Sequence, residues 1–317
     1  MEPKKIEPKR TEIRMTEPAI QIDGLGVRYG RTSILEGISL NVEPGSVQAL
    51  LGRNSAGKSS LVRCLLGHQK PQSGSVHLLG RDVWKHRVEL MQTIGVVPET
   101  GDAPPNMNAR QLSRFCSKLY PTWDEATLVE RLERFEVPLK VPFGKLSKGQ
   151  KGQVHLALAL AHSPELLVLD DPTLGLDVVA RKSVFEELVV ELADRGTTVF
   201  LTSHDLPGIE AIASHVAFLR GGRLILDEEI EGLKQRFRRL VFGPATEEEA
   251  RRLTADLGPL AVESRGRDTE VLVENFDEEA FAELREAPEV KRAEALPVSL
   301  EDALIAVAEN AGRERPS

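Results

Sequence analysis

The sequence predicts an α/β fold built on a mostly parallel sheet, and three observations lead there. Gly52-Arg53-Asn54-Ser55-Ala56-Gly57-Lys58-Ser59 fits the pattern G-x-x-x-x-G-K-[ST]. It stands between an apolar run, Ser46-Val47-Gln48-Ala49-Leu50-Leu51, and a helix-spaced set, Leu61, Cys64 and Leu65, that Gly67 is placed to end. Leu166-Leu167-Val168-Leu169 is a second apolar run and ends in two aspartates, Asp170 and Asp171. Around these runs strand and helix patterns alternate, which implies parallel strands joined by crossover helices.

Each element of the first pattern has a physical reason. Glycines let a backbone approach a phosphate and turn its N–H groups inward. A helix N-terminus adds partial positive charge. Lys58 supplies a point charge for β- and γ-phosphates, and Ser59 a hydroxyl for Mg²⁺. A phosphate loop of this kind needs an acidic partner. Asp170, at the carboxyl end of a strand, is the expected Mg²⁺ ligand, and Asp171 the candidate general base.

Composition narrows the class. The chain has 317 residues, enough for two domains, and a net charge of −8, so it has no overall attraction for nucleic acid or anionic lipid. Its two cysteines, Cys64 and Cys116, fall at apolar helical positions and read as buried thiols in a reducing compartment. No apolar run approaches a membrane span; Val154–Ala161 is short and contains His155. The Lys/Glu/Pro-rich N-terminus has no apolar signal core. A soluble, cytoplasmic protein is expected, reaching a membrane only through a partner.

Taken in order, residues 1–17 read as a disordered leader. From Pro18 to Val47, alternating runs broken by turns predict an antiparallel β-layer, and residues 75–79 and 94–97 add strands. A helical insert follows at about 104–162. Within it Leu112, Phe115, Cys116 and Leu119 are expected on one face of a helix that Pro121 stops. Thr122-Trp123-Asp124-Glu125 reads as a capping box for a second helix, and Ser147-Lys148-Gly149-Gln150 as one for a third. After the 166–171 strand come a helix near 179–195 and strands at 197–202 and 216–219. An ATPase domain is thus bounded at 18–235. Residues 236–312 follow β-α-β-β-α-β order, expected as a small ferredoxin-like α+β unit with a regulatory or dimer-stabilising task.

With these pieces in place, the sequence resembles the nucleotide-binding subunits of ABC transporters over about residues 18–230. Gly52 to Ser60 matches Walker A and Leu166 to Asp171 Walker B. Leu146-Ser147-Lys148-Gly149-Gln150 resembles the LSGGQ signature. Tyr29 falls at the adenine-stacking aromatic, Glu99 at the Q-loop, where its carboxylate is expected to ligate Mg²⁺ or accept a proton from water, Gly175-Leu176-Asp177 at the D-loop and His204 at the catalytic switch histidine. Glu99, the 120–124 segment and the C-terminal unit are similar to antibiotic- and bacteriocin-type exporter ATPases. The resemblance implies ATP and Mg²⁺ as ligands and a membrane permease as partner. It also implies a second ATPase subunit, identical or related, facing this one head to tail. Each ATP would then lie between Lys58 and Ser59 of one subunit and Ser147, Gly149 and Gln150 of the other, with Asp177 nearby. Met107, Tyr120 and Trp123 are expected as exposed contacts for the permease, or else as the insert's own core.

Four positions depart from the family pattern. Asp171 replaces the usual glutamate, Glu99 a glutamine, Lys148 a signature glycine and Ser55 a loop glycine. Asp171 is one methylene short, which predicts slow hydrolysis, and Lys148 is expected to point to solvent. The leading function is therefore the ATPase motor of a membrane exporter. A weakly hydrolysing half of a heterodimer is the alternative. A non-transport ABC protein is less favoured, since the chain has one P-loop and no heptad insert.

Overall fold

The computed structural model describes residues 17–100, 102–203, 206–243, 245–288 and 290–313, the last five by backbone alone. The expected leader lies, Glu17 aside, outside these residues, and so does His204.

Strands β1 (Ile20–Tyr29) and β2 (Thr32–Val42) form the antiparallel layer, then β3 (Val47–Gly52) runs into helix α1 (Lys58–Leu65). Next come β4 (Ser73–Leu78), β5 (Arg81–Asp82), the short α2 (Arg87–Leu90) and β6 (Ile94–Val97). The insert holds α3 (Ala109–Cys116), α4 (Glu125–Arg134) and α5 (Lys148–Leu160). The chain returns through β7 (Leu166–Asp170), α6 (Val178–Arg195), β8 (Thr198–Thr202), α7 (Leu206–Ile212), β9 (His215–Arg220), β10 (Arg223–Glu229) and α8 (Ile230–Arg236). It closes with β11 (Arg238–Phe242), α9 (Glu247–Leu253), β12 (Pro259–Arg265), β13 (Asp268–Val273), α10 (Glu278–Arg285), β14 (Ala293–Pro297) and α11 (Leu300–Arg313).

The central sheet has the order β10-β9-β3-β8-β7-β6 and is parallel except for edge strand β10. A parallel sheet must be covered on both faces, and the side chains sort accordingly. Leu50, Val168, Phe200 and Ala217 face α1 and the antiparallel layer β2-β1-β4-β5. Leu51, Leu167, Leu169, Val199 and Leu201 face the insert and α6. The C-terminal sheet, β12-β13-β11-β14, is antiparallel and has the expected ferredoxin-like order. Its own core gathers Leu240, Phe242, Val271, Val273 and Phe281. Helix α11 does not join that core. Leu300, Ala303 and Leu304 pack instead with Ile209, Leu226, Ile230 and Leu233 of the larger unit.

Several local expectations need correction. Phe115, within α3, and Leu119, beyond its end at Cys116, do not share a buried face with Leu112; they are 59% and 55% exposed. The cap of α4 is Asp124, which accepts from the Thr127 N–H at 3.1 Å, while the Thr122 hydroxyl donates to the His162 carbonyl at 2.7 Å. A rigid loop position two residues earlier was already committed elsewhere, which the i, i+3 spacing does not reveal. Cys64 is buried, its thiol pushed up to about 11 by desolvation, and half-buried Cys116 is raised for the same reason. Neither is a reactive thiolate.

The insert is joined to the core by a buried ionic cluster. Arg131 of α4 donates from Nε to Glu187 and from Nη2 to Glu191 of α6, each at 2.6 Å, and from Nη1 to the Leu160 carbonyl at 3.4 Å. Arg134 adds a 2.9 Å bond to Glu187, and Thr197 donates to Glu191 at 3.2 Å. Arg131 and both glutamates are buried. Removing one member strands its partners in low dielectric. Arg131→Met is expected to cost about 3–5 kcal/mol, read from urea unfolding. A loss below ~1 kcal/mol would mean that the two carboxylates find water or a proton instead.

Candidate functional site

Register places the predicted residues at one sheet edge. In the parallel pairing Asp170 lies beside Thr202 and Thr202 beside Leu50, while Val97 lies beside Leu169. The carboxyl ends of β6, β7, β8 and β3 therefore deliver Glu99, Asp170 with Asp171, Thr202 with Ser203, and the 52–59 loop to a common rim. Ligands of open α/β sheets bind at such rims.

The loop leaves β3 with Gly52 and enters α1 through Gly57, whose φ of 112° is glycine territory. A Cβ there would sit 2.6 Å from Leu35 Cδ2. Ser55 also has a positive φ, 65°, a strained position for its side chain. Its hydroxyl donates to the Asn54 carbonyl. Seven helices, α3, α4, α5, α6, α9, α10 and α11, have a first-turn N–H bonded by a capping side chain, while the short α2 and α8 have no such cap but carry a first-turn glutamate. Helix α1 has no side-chain cap and no acidic residue in its first turn. A helix N-terminus with neither a side-chain cap nor an acid of its own suits an outside anion. Lys58 folds back over this end, donating to the Gly52 carbonyl at 2.7 Å and the Arg53 carbonyl at 3.4 Å. Only 9% exposed, its ammonium is pulled below its ordinary range by desolvation, and Asp171, Asp170 and Glu99 pull it back up.

The two aspartates are fixed by one residue. The Thr202 hydroxyl donates to Asp170 Oδ1 at 2.8 Å and accepts from the Asp171 N–H at 2.9 Å. The Thr202 carbonyl accepts from the same N–H at 3.1 Å. Asp171 is buried with φ at 49°, a left-handed position uncommon for any residue but glycine.

A second group forms at the N-termini of α5 and α6. Ser147 and Gln150 make the complete capping box: Ser147 Oγ accepts from the Gln150 N–H and Gln150 Oε1 from the Ser147 N–H, both at 3.1 Å. Asp177 caps α6, accepting from the Ala180 N–H at 2.8 Å. Gly149 faces Ala180 so closely that a Cβ would lie 3.1 Å from its methyl. Lys148 is exposed, yet its stem crosses Gly175: a Cβ on Gly175 would meet Lys148 Cε at 3.0 Å. It lies along the D-loop and does not simply project into solvent.

Tyr29 is 47% exposed and its hydroxyl donates to Gln69 at 2.5 Å. Ser60 first, then Arg63 and Gln69, hold its phenol below the usual range. The half-exposed ring is thereby tethered beside α1. Glu99 is exposed just beyond β6. Of the expected permease contacts, Met107 and Trp123 pack against the insert's core, with Trp123 Nε1 donating to Ser113 at 3.2 Å. Tyr120 stacks on His162 at 4.1 Å. These three close the insert, the alternative already open in the sequence, and Phe115 and Leu119 are the exposed apolar pair.

A family model described as "ABC transporter" matches residues 35–174. The chain is 34% identical to the bacitracin transport ATP-binding protein BcrA of Bacillus licheniformis, over 69% of this chain and 72% of that one. It is 30% identical to the ABC transporter ATP-binding protein YtrB of Bacillus subtilis strain 168, over 90% and 97%. The chain belongs to the ABC transporter ATP-binding family. A solved ATP-binding subunit of an ABC transporter superposes with a TM-score of 0.62 over 68% of this chain and 92% of that one, at 24% identity, and so shares the fold. As an ABC ATPase the chain binds ATP and couples its hydrolysis to transport. No helix among the described residues is long and apolar enough to cross a membrane.

The site fits ATP with Mg²⁺. The uncapped α1 N-terminus and Lys58 suit the phosphates. Ser59, Asp170 and Glu99 would hold the metal, which would offset the negative charge of the phosphates. No cluster of three acidic, His or Cys side chains occurs among the described residues, so phosphate and water would supply the other ligands. Thr202 is the residue that motif reading missed; its place beside Asp170 in register was the available signal. Thr202→Val is expected to cost ~10–100-fold in Mg²⁺-dependent ATPase activity, with Thr202→Ser restoring most of it. A magnesium titration of both variants checks this, and equal activity of the valine variant would leave the hydroxyl a purely structural contact.

Proposed function

We propose that this chain is the ATP-driven motor of a membrane exporter and acts as half of a two-subunit ATP site. The observation that carries this is the split arrangement: an uncapped, lysine-covered helix N-terminus with its strand-end acids on one side, and a signature packed on its D-loop on the other. The export direction rests on relatives named for bacitracin transport, lantibiotic transport and Nod factor export.

In this reading the Walker A group, Gly52 to Ser60, binds the triphosphate of its own subunit, and Tyr29 stacks on the adenine. Ser147, Gly149 and Gln150 of the facing subunit reach the γ-phosphate, and Asp177 lines the seam. Ser147 caps α5 in the single chain and turns to phosphate in the closed pair, so closure exchanges one hydrogen-bond partner for a charged one. Asp171 accepts the proton of the attacking water, with Glu99 and the switch histidine His204 as the further catalytic residues. The partner is a second ABC ATPase subunit, and the pair sits on the cytoplasmic face of the membrane beneath a polytopic permease. Phe115 and Leu119 are the insert's contact with that permease, because they are large, apolar and left uncovered on an otherwise packed lobe.

Asp171 sets the rate. Its carboxylate stands ~1 Å short of where glutamate would reach, and an error of that size costs ~100-fold. Asp171→Glu is expected to raise turnover about 10- to 100-fold, measured with the partner subunits present; an unchanged or lower rate would show that another step limits. Affinity purification of the tagged chain from its own membranes should bring down a polytopic membrane protein. Phe115→Glu/Leu119→Glu should lose it while keeping ATP affinity. Capture of no membrane protein by the unaltered chain would remove the transport reading, and capture by the double variant would move the contact elsewhere.

A further inference from the structure

A cavity of about 470 Å³ lies between the start of the P-loop and helix α11, on the side of the central sheet away from α1. Its size falls in the ~300–1,000 Å³ range of small-molecule sites. The walls are mainly apolar, from Leu51, Phe218, Leu304 and Ile305, and Arg53 and Arg220 also line it.

Two observations set this space apart from a packing gap. Phe218 lies mid-strand between buried Ala217 and Leu219 yet is only partly covered. Ile305 is 50% exposed, although Leu304 and Ala306 on either side of it are buried. Large apolar surface is thus left wet inside a concave wall, where an apolar body would gain by covering it. The charge is the second observation. Arg53 and Arg220 are exposed and make no ion pair among the described residues. Glu301, also in the wall, sits in the first turn of α11, where the helix dipole already offsets its charge. Two unpaired arginines lining an apolar pocket suit a carboxylate that carries a hydrophobic chain.

We propose that this cavity binds an amphipathic organic anion, an aliphatic body with a terminal carboxylate, and that its occupancy tightens nucleotide binding. The first half stands on the cavity alone; the second rests on the ATP-site reading above. The link is direct. The carbonyls of Gly52 and Arg53 hold the Lys58 ammonium, and both residues line the cavity, as does Ser203 one residue beyond Thr202. A ligand drawing Arg53 inward braces the loop that must be ordered when phosphate arrives.

Isothermal titration of the full chain with dodecanoate, below its micelle concentration, tests the proposal. Saturable binding of one molecule per chain is expected, with dodecyltrimethylammonium binding at least tenfold more weakly. Arg220→Ala should weaken dodecanoate about tenfold, and Ile305→Trp, which fills the space from a half-exposed position, should abolish it. Circular dichroism and melting would confirm that both variants stay folded. Dodecanoate should tighten a fluorescent ATP analogue about fivefold, and the analogue should tighten dodecanoate by the same factor. Equal binding of the anion and the cation, no saturable binding, or indifference to both substitutions overturns the site. If Ile305→Trp instead breaks a dimer and dodecanoate does not bind, the cavity is covered by a second copy and the proposal falls. Normal dodecanoate binding with unmoved nucleotide affinity overturns the coupling alone. Failure of the chain to bind the analogue at all would instead count against the ATP-site reading.

Discussion

Holding the Lys58 ammonium out of water is the constraint on which the central sheet is built. A desolvated cation is costly unless carbonyls and carboxylates face it. The carbonyls come from its own loop, at Gly52 and Arg53. The carboxylates come from residues over a hundred positions later, Asp170 and Asp171. To bring them near, β7 must run parallel to β3 and end level with it. The two strands are not neighbours; β8 lies between them. Its last residue, Thr202, spans the gap by serving Asp170 with its proton and Asp171 with its lone pair. Crossover helices, and hence the whole α/β layering, follow from that demand for parallel strands with ends on one rim.

The insert answers a different demand. It must present the α5 N-terminus at a fixed place relative to α6. Arg131 does this from behind, bonding the last turn of α5 through Leu160 and the middle of α6 through Glu187 and Glu191. At the other end, Gly149 against Ala180 and Lys148 across Gly175 join the same two helices. Contacts at both ends make the signature and the D-loop one body. A helix-to-helix shift would have to break a buried charge cluster, so motion of the insert would carry the α6 N-terminus along with it.

What could be read from sequence was what is local. The 52–59 loop, the aspartate-tipped strand and the Ser147 capping box are defined within a few residues, and each formed as read. The ferredoxin-like order of the C-terminal strands was visible too, since alternation and turns suffice to order them. Long-range choices were not visible. Leu119 and Phe115 have the spacing of a core face, but Leu119 lies beyond the end of α3 and Trp123 and Tyr120 take the interior positions. Asp124, not Thr122, caps α4 because the Thr122 hydroxyl is taken by the His162 carbonyl, forty residues away. Thr202 carries no motif at all; its role exists only through strand register.

Helix α11 poses the sharpest case. By sequence it belongs to the C-terminal unit, which it closes after β14. By packing it belongs to the larger one, since Leu300, Ala303 and Leu304 complete the core around Ile209, Leu226, Ile230 and Leu233. On its other side Asp302 binds Arg239 of β11 at 3.0 Å. The helix is therefore shared, and the C-terminal sheet cannot leave without uncovering apolar surface beside α7, β10 and α8. Cutting the chain after residue 236 would remove that cover along with any regulation, and loss of function would report both together. Single substitutions on the exposed side of α11 separate the two, because they alter what the helix presents while leaving what it buries.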